Sequence, residues 1–91
     1  MQTTMILQQD AVPIVKSSLE MKRKALDYNL REYHRRLMTF EQTHHMTWQQ
    51  FIDDFRSGKM GDDATWFEWE FLIDALAETE RQLKLLDSVK L

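Results

Sequence analysis

Cysteine is absent from this 91-residue chain, which excludes disulfides and thiolate metal sites. One proline and two glycines are too few for a loop-rich fold, so most residues must lie in long uninterrupted elements. No apolar run approaches the roughly 20 residues needed to cross a bilayer as a helix. The N-terminus also lacks the basic start and apolar stretch of a signal peptide. The expectation is a cytoplasmic protein without membrane association. A chain this short forms one domain and removes a smaller share of its apolar surface from water than a larger one. Without covalent or metal staples, helix packing or oligomerisation must reinforce it.

What the chain does have is apolar bulk and charge. Six Met, three Trp, five Phe and two Tyr accompany 30% charged residues. The net charge of -3 conceals a division. Residues 16–36 hold seven cations against three acids, whereas residues 41–80 hold ten acids against Arg56 and Lys59. Either the halves fold together and partly neutralise, or the acidic half faces a basic partner.

The periodicity predicts an all-α protein. Residues 1–12 read as an N-terminal arm or tail and 13–91 as a helical hairpin domain. Pro13 fits a first helical turn, and Ser17 with Glu20 offers a second possible start. Leu19, Leu26, Leu30, Tyr33, Leu37 and Phe40 then follow heptad-like spacing, with Arg23 in the skipped position. A helix from Pro13 to about Gln42 would be roughly 45 Å long. Thr43-His44-His45-Met46 breaks it. Thr47 and Gln50 have capping-box spacing, and Met46 and Phe51 that of a hydrophobic staple. The short helix that follows, about 48–57, carries Trp48, Phe51, Ile52 and Phe55 on one face, and Gly58 stops it. Asp62 or Asp63 caps a third helix, about Ala64 to Asp87, with Trp66, Trp69, Leu72, Ile73, Leu76, Leu83 and Leu86 as its stripe. Long, short and long helices give an antiparallel hairpin, and a dimer of hairpins would be a four-helix bundle.

Little here suggests catalysis or metal binding. His44 and His45 are adjacent and point apart, and neither HxxxH nor HxxE spacing brings His34, Asp53 or Asp54 to them. Asp53-Asp54 and Asp62-Asp63 lack the bulk around them for a cleft that would separate two carboxyl pKa values. Asp62-Asp63 also has a sufficient role at a helix N-terminus. The expectation is no enzyme, no catalytic residue, no metal and no cofactor.

Two surfaces invite a partner. Lys22, Arg23, Lys24, Arg35 and Arg36 make a cationic face on the first helix, which suits nucleic acid but sits in an acidic chain that opposes phosphate binding. More often such a face is a solvated one, paired at i, i+4 with acids as in Asp27–Arg31 and Glu32–Arg36. The second surface is Trp66, Phe67, Glu68, Trp69, Glu70 and Phe71. Four aromatics in six positions cannot all meet one neighbour, and at 100° per residue Phe67, Phe71 and Ala75 fall on a second arc outside the main stripe. These six are the candidate partner-binding residues.

Phe40-Glu41, Met46-Thr47 with Phe51 and Phe55, Ser57-Gly58-Lys59-Met60-Gly61-Asp62-Asp63, and Phe67-Glu68-Trp69 together resemble a family of small helical prokaryotic antitoxins. Its outline is a charged long helix, a Met-[ST]-x-x-x-Phe turn and helix, then Gly-x-x-Gly-Asp-x-x-x-x-Phe-Glu-Trp. The resemblance covers about residues 16–87, with the Gly58…Trp69 block its most specific part. The chain departs at His44-His45, where the family has a Lys- or Tyr-Gly-type turn, and residues 1–15 have no counterpart. The resemblance implies neutralisation of a cognate, ribonuclease-like toxin by direct binding. Two alternatives stand beside it: a homo-oligomeric structural bundle, and a DNA-binding repressor.

Overall fold

The computed structural model describes residues 4–91. After a short extended lead, a 3-10 turn at Gln9–Ala11 feeds α1, Val12–His44. Then come α2, Trp48–Arg56, and α3, Ala64–Asp87. The architecture is all-helical: long, short, long, with α1 and α3 packed as a hairpin. None of the described helices is long and apolar enough to cross a membrane. Rotation begins before Pro13 and continues through Ser17, whose neighbour Ser18 bonds back to the Ile14 carbonyl. The second possible start is therefore unused.

Local chemistry sets the corners. Thr47 accepts from the Gln50 amide and the Gln50 side chain accepts from the Thr47 amide, a complete capping box. At the far end of α2, Gly58 takes φ +81°. Its N–H donates to the Phe55 carbonyl and that of Lys59 to the Asp54 carbonyl. These two bonds are the Schellman closure. Asp63 caps α3 by accepting from the Thr65 amide at 2.8 Å. That bond, then the Thr65 hydroxyl, lowers the Asp63 pKa.

The α1 helix ends two residues later than expected. His45 turns into the left-handed region at φ 54°, and both its N–H and that of Met46 return to the Glu41 carbonyl. A glycine is the usual occupant of such a position.

The core lies at the α1–α2–α3 corner. Leu37, Phe51, Ile52, Trp69 and Ile73 are buried together, with Phe40, Met46, Trp48, Phe55, Met60, Trp66 and Leu76 around them. Phe51 and Trp69 stack at 4.0 Å with planes 8° apart. Leu72, between Trp69 and Ile73, is fully buried; farther along, Leu26 is buried and Thr79 fills the gap in the α3 stripe by bonding the Ala75 carbonyl. At the open end a groove of about 280 Å³ is lined by Leu19, Arg23, Leu86 and Val89.

The result is a rod of 56 × 27 × 18 Å with a radius of gyration of 18.1 Å. An equally long compact domain would measure about 12 Å. Its accessible surface is 7200 Å², against about 5,600 Å² for an ordinary folded monomer of this mass.

Candidate functional site

The structure divides the six aromatic-segment residues by helix geometry. Trp69 is fully buried and belongs to the chain's own core, so it offers no surface to a partner. Trp66 is half-buried, edge-on to His44 and tilted against Phe51. Phe67 and Phe71 point elsewhere and remain 51% and 58% exposed. The end of α2 supports Phe67 through a T-shaped contact with Phe55 at 5.3 Å. Glu68 is committed within the hairpin, where its carboxylate accepts from Arg36 at 2.8 Å. Glu70 is half-buried, and exposed Asp74 stands one turn on. What faces solvent is thus Phe67 and Phe71 in an acidic setting, without Trp69.

The cationic face is depleted in the same way. Arg23 pairs with Asp87 at 2.8 Å, Arg36 with Glu68, and Arg35 with Glu32 at 2.9 Å. The Glu32 carboxylate bonds Arg35, which lowers its own pKa and raises that of Arg35. The expected Glu32–Arg36 pair is replaced, because Arg36 reaches across the hairpin instead. No Asp27–Arg31 ion pair forms within 4 Å. Lys22 and Lys24 are exposed. Basic and acidic halves therefore neutralise one another in part, through Arg36–Glu68, and Arg23–Asp87 likewise joins α1 to α3.

The other candidate groups are scattered. Among the described residues no three His, Cys, Asp or Glu side chains converge as a metal site. His44 stacks with Phe40 and Trp69 as an aromatic member of the corner, a role its adjacency to His45 concealed. Asp53 is exposed on α2, Asp54 lies 3.9 Å from Lys59, and Asp63 caps α3.

Sequence reasoning missed one surface. Ile14, Met21 and Tyr28 on α1 are 69%, 70% and 59% exposed. Their seven-residue spacing was the available signal, masked by the lysines and arginines between them.

Comparison of the chain with protein-family models, with curated proteins and with solved structures finds no match.

Proposed function

We propose that this chain is a protein-binding module, and specifically an antitoxin that neutralises a cognate ribonuclease-like toxin by occupying its basic groove. The observation that carries the reading is the solvent-facing pair Phe67 and Phe71, more than half exposed beside Glu70 and Asp74. Aromatic side chains bring much apolar area to an interface at small entropic cost, and surrounding carboxylates steer it to a cationic surface. The motif resemblance supplies the partner class, and the elongated form supplies the surface. The chain works by exclusion in this reading, and no catalytic chemistry is assigned to it.

Co-expression with the product of the adjacent open reading frame tests the proposal. A complex that copurifies, and in which the neighbour's RNA cleavage is suppressed, is the expected result. Separate elution of the two proteins at micromolar concentration would refute it.

A further inference from the structure

Along α1, three inward-facing residues are each followed two positions later by an exposed apolar one: Val12 by Ile14, Leu19 by Met21, and Leu26 by Tyr28. Two positions correspond to 200° of helix rotation. Ile14, Met21 and Tyr28 thus form a second seam on the side turned away from α3. Ser18 and Ala25 fall four residues after one large side chain and three before the next. Spacings of four and three, repeated from Ile14 to Tyr28, are the mark of a helix that meets another helix. The packing of α3 on α1 uses the other stripe and does not account for this one.

We propose that this seam receives a second copy of the chain, with the two α1 helices antiparallel. In the register that sets Ile14 against Ala25 of the second copy, Met21 lies against its Ser18. Two-fold symmetry repeats both contacts in reverse. Each of the four layers then holds one large and one small side chain, which fills the space between helices. Parallel pairing would stack Met on Met and Ala on Ala, leaving bulges and voids. Packing therefore selects the antiparallel arrangement.

Ile14, Met21 and Tyr28 are each more than half exposed, so the apolar surface that a second copy would cover is open in the single chain. A seam from Ile14 to Tyr28 is roughly 21 Å long. The inference does not depend on the toxin reading and uses neither Phe67 nor Phe71.

Sedimentation equilibrium of the purified full chain should give twice its 11.0 kDa mass. Met21→Lys should raise the dissociation constant at least tenfold with the far-ultraviolet circular dichroism unchanged, since Met21 is exposed. Because the natural chain has no thiol, introduced cysteines report the register. The Ile14→Cys/Ala25→Cys double variant should cross-link into a covalent dimer with a short bismaleimide, and neither single variant should. Within one chain those positions are roughly 16 Å apart, too far for that linker. A monomer at high micromolar concentration would overturn the proposal. So would a Met21→Lys dimer as tight as the parent, or efficient cross-linking of the single variants, which marks a parallel pair.

Discussion

The Glu41 carboxylate accepts a hydrogen bond from the Trp48 amide at 2.9 Å, joining the last turn of α1 to the first turn of α2. Its backbone carbonyl meanwhile takes the N–H groups that close α1. One residue thus satisfies groups at two helix ends, which would otherwise lack partners. Glu41→Ala should destabilise the chain by about 1–2 kcal/mol. Glu41→Gln should cost less, because the amide oxygen still accepts. Thermal melts followed by circular dichroism would show the difference as a shift of roughly 4–8 °C per kcal/mol. An Ala variant that melts with the parent would remove Glu41 from this role.

His45 holds a left-handed backbone, φ 54°, that side chains with a Cβ adopt at a cost. His45→Gly should raise stability by up to about 1 kcal/mol, after allowing for the greater freedom of glycine in the unfolded chain. Chemical denaturation gives the sign directly. A destabilised variant would mean that the His45 side chain makes a contact worth more than the backbone relief.

Trp69 has no exposed surface, yet its indole N–H is buried without an acceptor. Trp69→Ala removes the ring stacked on Phe51 and should cost about 3–5 kcal/mol, a large share of the stability of a small domain. Trp69→Phe keeps an apolar ring and discards the unsatisfied donor, so its penalty should be far smaller. Equal losses in urea titrations of the two variants would contradict this.

Phe71→Glu should leave the melting temperature within error of the parent, because the ring is 58% exposed. Loss of binding to the adjacent gene's product in pull-down at unchanged stability would place that interface on this arc. Undiminished capture would place it elsewhere.

Glu78 should titrate at about 2, well below the ordinary 4.5, because the Arg81 and Gln82 side chains bond its carboxylate. A lowered carboxyl pKa contributes stability that is present above the unfolded-state value and is lost as the pH falls through the folded one. The relevant window therefore runs downward from 4.5 toward 2. Carboxyl-carbon NMR titration would locate the midpoint, and an ordinary glutamate value would show that Arg81 does not hold the group in solution.

Features governed by neighbours in sequence were legible in advance. Thr47 with Gln50, Gly58, Asp63 and both main stripes follow from capping, backbone freedom and helical period, and all lie where expected. The end of α1 was not, because histidine is an unusual residue for a left-handed closure. Helical spacing offers Arg36 the nearby Glu32, yet it reaches Glu68, a partner 32 residues away that only the folded hairpin supplies. The two arcs of the aromatic segment follow from the helical period, but the inclusion of Trp69 among the partner-binding residues does not hold. Helix rotation distributes the segment, with Trp69 to the interior and Phe67 and Phe71 to solvent. The Ile14–Met21–Tyr28 seam was obscured because its cationic neighbours dominate that stretch of sequence.

The large side chains are concentrated at one end of the rod, while the other end has leucines around a groove between Leu19 and Leu86. Cohesion is therefore graded along the length, and the molecule resembles tongs whose hinge is tight and whose tips are slack. Thermal opening should begin at the tips, away from Phe51 and Trp69. Amide protection should accordingly decline along α1 from Leu37 toward Val12, and a companion that grips the first turns of α1 would tighten the protein where it holds itself least.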